Sequence, residues 1–577
     1  MKENMPNQPE KLIPSEPRLR GMDKVLTLLE SEELPDGEKI NWKDIHERVK
    51  PFHTMYEFTE NVREAVREYV AMKIPKFKEA VPSIGELDDK HLLNALTHNW
   101  FEEIDDVEGE RREILLTVAA HVVKRIETLA ERKLLREADG AQLAELGVDA
   151  PIRDLLVDLL EVSAKADVWF TRYYAYSQLS GKPPEAATPT AMHLPGDSEP
   201  HTMAELFPHE AQFMARRFKE IADKGGEWEK RSGGDAFVKY AETLSRFFEA
   251  KNPADAEKLQ EEITGFYRQI LETDFPVLAR SVAADAPEGY YKEPYIDPEL
   301  KIAVSTHETQ DEENGFRRAK GIMAESLGEI GADDFADAVR RPPVRNSIVL
   351  GGFGVNLAFN SVAEEDPGYV MYWNEQRRAY DLDFLSMSKM VENGESAFAA
   401  VPEGERGNFM EQLSRLSTMM HEFGHPVYAS DTREAGRLGE RPLTVIDEVK
   451  AETLWRALTP SMREKGLAGS REQWAVAELT SLLLLLRDQP EGDEYFYTAT
   501  YNLNDLFEKG IVRFADGKLS IADLDAYEKE KAALAQSVLS VYRDEAMTER
   551  KAALWIKKFC TPSPALEACI AFLKKEH

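Results

Sequence analysis

Phe409, Leu413, Leu416, Met420 and Phe423 follow one another at steps of four, three, four and three. That spacing writes one apolar stripe along a helix, so residues 405–425 are expected to be helical and packed on a core. The polar residues within the stripe constrain the chain further. His421 and His425 stand four apart, which stacks their imidazoles on one face. Two imidazoles so placed can hold one cation, and Glu422, one residue round, can reach a water beside it. The segment His421-Glu422-Phe423-Gly424-His425 is thus an HExxH zinc-binding pattern. Twelve histidines and 105 acidic residues among 577 would give fewer than roughly 0.05 such patterns per chain by chance. Coincidence is therefore a poor account of it. Pro426 disfavours helical backbone at His425, which is expected in the last turn, where the carbonyl end of the helix favours a cation.

A zinc site needs a third protein ligand. The separations common among zinc peptidases fall on Thr444 or Val445, and neither is acidic. The next candidates are Asp447, Glu448 and Glu452, in Thr444-Val445-Ile446-Asp447-Glu448-Val449-Lys450-Ala451-Glu452. Thr444 with Asp447 reads as an N-terminal capping box, and Thr459-Pro460 as the helix end. Glu448 and Glu452 are four apart on one face. One carboxylate can ligate the metal while the other holds a ligand histidine through its second nitrogen.

These segments resemble a known family. Asp447-Glu448-Val449-Lys450-Ala451-Glu452 is similar to EExxAE, the second zinc motif of the dipeptidyl peptidase III (DPP III) family. The resemblance is closer to the peptidase-like region of the plant relatives fused to Nudix domains, which share the short HExxH form. Thr306-His307-Glu308-Thr309-Gln310-Asp311-Glu312 looks like the family's ETYxD or ESYRD segment, and Gly354-Val355-Asn356-Leu357 like its GINI segment. Asn504-Asp505-Leu506-Phe507-Glu508-Lys509-Gly510 looks like the NWLYEKG segment of the Nudix-fused relatives. The segments keep the family's order over residues 300–520. The first 280 residues match only loosely, and no Nudix motif is visible.

The resemblance implies a mainly α (α+β) fold: a two-lobed metallopeptidase with a small β component and a helical zinc site in an interlobe cleft. One zinc ion per chain would be bound by His421, His425 and Glu448. Glu422 would be the general base, and Glu452 would stand behind the ligands. Glu308 would hold the ammonium of a substrate's N-terminus, and Asn356 would pair with the substrate backbone. Two positions depart from the pattern. Where the family has a tyrosine whose hydroxyl stabilises the oxyanion, this chain has Gln310. An amide also donates a hydrogen bond, but outright loss of one such donor costs roughly 10²–10³ in rate. The family's second asparagine is Phe359 here, with Asn360 one residue out of register. Hydrolysis of short peptides is the leading expectation. The departures leave two others: a zinc hydrolase of a non-peptide ester, amide or lactone, and a catalytically weak peptide-binding homologue.

Composition removes other classes. A net charge of −33 repels phosphate backbones, so no nucleic-acid partner is expected. Cys560 and Cys569 are the two cysteines. They cannot build a four-cysteine zinc site or an iron–sulfur cluster in one chain, and they fit a reducing compartment. Residues 1–20 lack an apolar signal core. The longest purely apolar run, Leu482 to Leu486, is far short of the roughly 20 residues a membrane span needs. Cytoplasmic residence without a membrane partner is therefore expected.

A chain of 577 residues is expected to form two lobes or more. Residues 1–20 read as a flexible arm and 21–285 as mainly helical. Residues 286–577 read as a mixed α/β catalytic region carrying both zinc motifs. Helical periodicity shows at 62–70 and 115–129, with breaks at Pro82, Gly140 and a Pro-rich loop over 181–200. Strands are expected over 300–306, 347–359 and 369–373, with Gly351-Gly352-Phe353-Gly354 as a bulge or turn. Helices are expected from 376 to 486, then a hairpin over 510–521 around Asp516-Gly517.

Overall fold

The structure is a computed structural model. It describes 148–163, 208–281, 300–305, 307–341, 344–351, 361–364, 369–373, 384–392, 405–428 and 436–576, with shorter stretches between and before them. The N-terminal arm, Pro82, residues 115–129 and nearly all of 62–70 lie outside the described residues. The chain forms two compact units. The first is Met1–Gln310 with Asn346–Phe359 and Trp373–Glu375, and the second is Asp311–Arg345 with Asn360–Tyr372 and Gln376–His577.

In the first unit, α1 (Pro208–Asp223), α2 (Gly234–Glu249) and α3 (Pro253–Leu271) pack in succession. Helix α2 buries Phe237, Tyr240, Ala241, Leu244, Phe247 and Phe248, the spacing of an inward stripe. Asn252 starts α3 by accepting from the Ala254 N–H, with Pro253 in the first turn, where no intrahelical donor is needed. Strand β1 (Val277–Ser281) follows, in a stretch the sequence reading takes as helical. It is buried on both faces, so its residues do not alternate, and a short apolar run of that kind has no periodicity to separate strand from helix. It pairs antiparallel with β2 (Leu300–Val304), Val277 opposite Val304. The Tyr240 hydroxyl donates to the Ala279 carbonyl at 2.6 Å and ties α2 to this strand. On its other side β2 pairs with β3 (Val344–Gly351), Val304 opposite Ile348. The expected strand 347–359 thus starts earlier, and its part beyond Gly351 lies outside the described residues.

Helix α4 (His307–Ser326) leads into the second unit. There β4 (Ser361–Glu364) and β5 (Tyr369–Trp373) form an antiparallel pair. The longer elements described after them are α5 (Arg406–Glu422), α6 (Glu440–Glu464), α7 (Arg471–Asp488) and α8 (Glu494–Glu508), then the hairpin of β6 (Val512–Ala515) and β7 (Lys518–Ile521), then α9 (Leu524–Arg543), α10 (Glu549–Phe559) and α11 (Pro564–Glu576). Ser470 and Gln473 form a reciprocal capping box on α7, and Asp493 and Asp523 cap α8 and α9. The hairpin turns at Asp516 and Gly517, with φ of 52° and 73°, the left-handed pair that matches strand twist.

Helix α6 packs against α5, α8, α9 and α10. It differs from expectation at both ends. It begins after Gly439, so Thr444 and Asp447 lie within the helix and form no capping box. It also runs through Pro460. Leu458 and Met462 on either side are fully buried, and packing carries the helix across the missing donor. Cys560 and Cys569 are free and buried in separate apolar clusters of this unit. Among the described residues, no helix is long and apolar enough to cross a membrane.

Candidate metal centre

Helix α5 presents His421 in its last turn and ends at Glu422. Beyond it the chain tightens: the Gly424 N–H donates to the His421 carbonyl at 2.8 Å, and the His425 N–H to the Glu422 carbonyl at 3.2 Å. His425 therefore stands just past the helix rather than in its last turn. Pro426, with no N–H, cannot continue the ladder. The turn runs to Tyr428, whose φ of 54° is left-handed. Gly424 is required by contact. A Cβ there would lie 2.8 Å from both the Cα and the carbonyl oxygen of Ala451 on α6.

This close approach brings the two motifs together. Glu448 Oε2 lies 3.1 Å from His421 Nε2 and 4.0 Å from His425 Nε2. One donor atom from each of the three residues falls within 4.8 Å of the others. The imidazoles meet edge to face, centroids 5.0 Å apart. Their other nitrogens are engaged behind them: His421 Nδ1 is 2.7 Å from Glu452 Oε2, and His425 Nδ1 is 2.6 Å from Asp447 Oδ2. A carboxylate at Nδ1 favours the proton there and turns the Nε2 lone pair towards the shared point. All five side chains are buried. Two nitrogens and one carboxylate oxygen, oriented in this way, are a donor set that fits zinc.

Buried cations balance the two supporting carboxylates. Arg456 lies 2.6 Å from Glu452 Oε1, and the Trp455 indole N–H donates to Oε2 at 3.1 Å. Asp447 Oδ1 accepts from Lys450 at 2.5 Å and from the Tyr542 hydroxyl at 3.2 Å. Burial alone would raise both carboxyl pKa values. Lys450 and His425 hold Asp447 far below the ordinary carboxylate range, and Arg456 and His421 do the same for Glu452. Burial opposes the charged form of both histidines. Glu448 and Glu452 outweigh it at His421, and Asp447 at His425, so both lie above the ordinary histidine value. Glu422 is half-buried, with Oε2 3.9 Å from His425 Nε2.

The structure thus brings His421, Glu422, His425, Glu448 and Glu452 together. Glu308 and Gln310 fall in the first turn of α4, where only the backbone is described. Asn356 and Phe359 lie outside the described residues. Asp447 as the partner of His425, and Lys450 and Arg456 behind the two carboxylates, are features of the structure that the motif spacing does not signal. Another signal is present. Val445, Ile446, Val449, Leu454, Trp455 and Leu458 leave α6 no wholly polar side, so charged residues inside it need buried partners of opposite charge.

No family model matches this chain, and no curated protein does. Among solved structures it is similar to a DPP III from Caldithrix abyssi, with a TM-score of 0.50 and 14% identity, over 78% of this chain and 88% of that one. It is also similar to a dipeptidyl-peptidase III from Corallococcus sp. strain EGB, with a TM-score of 0.46 and 14% identity, over 64% and 67%. The first of these likenesses shows the fold: the chain has a mainly α, DPP III-like architecture.

Proposed function

We propose that this chain is a zinc-dependent hydrolase of the DPP III type, acting on short peptides. One observation carries the reading. His421 Nε2, His425 Nε2 and a Glu448 oxygen converge on one buried point, with each Nδ1 held by its own carboxylate. One zinc ion held there would act as a Lewis acid, polarising the scissile carbonyl and acidifying water. Glu422, beside the same point, takes a proton from the attacking water and returns it to the leaving amine. Asp447 and Glu452 keep the two ligand rings in register. Glu308 receives the substrate's ammonium, Asn356 its backbone, and Gln310 donates to the developing oxyanion; these three roles rest on the motif resemblance. Cytoplasmic residence is supported by the two unpaired, buried thiols.

The Glu422→Gln variant tests the base. It should bind one zinc per chain, as elemental analysis would show, and lose about 10²–10⁴ in hydrolytic rate. Wild-type turnover with zinc bound would remove Glu422 from the mechanism. Gln310 in place of a phenol favours a second reading, hydrolysis of a non-peptide ester, amide or lactone. A screen of dipeptidyl arylamides against small esters separates the two.

A further inference from the structure

Lys450 has no exposed surface, and the chemistry proposed above does not use it. Its Nζ lies 2.5 Å from Asp447 Oδ1, 2.9 Å from the carbonyl oxygen of His425 and 3.4 Å from that of Tyr428. The ring of Tyr542 lies 5.2 Å from the same nitrogen, and its hydroxyl donates to the same Asp447 oxygen. A buried ammonium is costly unless its three protons are met, and here three acceptors meet them. Two of the three belong to the turn that carries His425. The third belongs to the carboxylate that holds the His425 ring.

We propose that Lys450 is the positioning residue for His425, gripping it at both ends: the main chain through its carbonyl, the imidazole through Asp447. The need for such a grip lies in the backbone. Helix α5 stops at Glu422, so His425 lacks the support of a continuing helical ladder. Pro426 offers no donor, and Tyr428 sits in a left-handed conformation that a residue with a Cβ adopts at a cost. Helix α6 supplies the hold that α5 does not. The proposal rests on the zinc reading and extends it from which residues ligate to what fixes one of them.

The test compares zinc affinity, by competition with a chromophoric chelator, in wild type, Lys450→Met and Lys531→Met. Lys531 is a buried ammonium of the same kind, paired with Glu478. Lys450→Met should weaken zinc binding by about 10–100-fold and alter the visible spectrum of the cobalt-loaded protein. Lys531→Met should lower the melting temperature but leave zinc affinity within about twofold. An affinity of Lys450→Met within about twofold of wild type overturns the proposal. No metal uptake by wild type would instead overturn the zinc reading. Should Lys450→Met not fold, Asp447→Asn/Lys450→Met removes both charges together. It should bind zinc several-fold more weakly than Asp447→Asn alone, and equal affinity overturns the proposal.

Discussion

Asp447 and Glu452 do the same work for different histidines, but the cations behind them differ in kind. Lys450 is a point charge whose protons also reach main-chain carbonyls. Arg456 is a planar fork that lies over the Trp455 ring at 4.6 Å and reaches Ser481 Oγ at 3.3 Å. Another buried cation has a different consequence. Burial, with Arg317 nearby, pulls Lys320 down to about 8. A lysine in the unfolded chain titrates near about 10.4. Between these values the unfolded chain binds more protons than the folded one, so this group makes stability rise with pH across that window. Lys320→Met should flatten the rise, as urea denaturation at a series of pH values would show; an unchanged slope would refute the assignment. The pairing of His421 with His425, and of Glu448 with Glu452, was legible because i, i+4 spacing is read within a few residues; that Glu448 rather than Asp447 or Glu452 faces both imidazoles came only from the motif resemblance. The roles of Asp447, Lys450 and Arg456 were not legible, because they depend on which side of α6 faces α5.

At the scale of elements, the centre depends on how closely the turn after α5 passes over α6. Gly424 and Ala451 are the small residues that permit it. Gly424→Ala would place a methyl group 2.8 Å from backbone atoms of Ala451. We expect a cost of about 1–3 kcal/mol, read as a lower melting temperature, together with weaker zinc binding as the motifs are pushed apart. Stability and affinity both equal to wild type would mean that the turn can move freely. The hairpin at Asp516-Gly517 was legible because its turn chemistry is contained in two residues. Strand β1 and the passage of α6 through Pro460 were not. In both, burial supplied by distant parts of the chain overrides the local signal.

At the scale of the molecule, the proposed ligands come from separate elements of the second unit, so a bound ion would cross-link α5's exit turn to α6. Zinc at about 100 times its dissociation constant should then stabilise the folded state by about 2.7 kcal/mol, and chelation should lower the melting temperature accordingly. A melting temperature indifferent to zinc would mean that the three donors hold no ion. The two thiols give this experiment a second readout. Burial pushes Cys560 well above the ordinary thiol range and Cys569 up to about 12, so neither reacts readily while the unit is closed. Alkylation at neutral pH therefore times openings of the structure. Cys569 belongs to the apolar cluster that also holds Leu413, Met420 and Trp474, and Cys560 to the one that holds Ile446, Val538 and Trp555. The chain carries two clocks, one in each cluster, and chelation will show whether they run together.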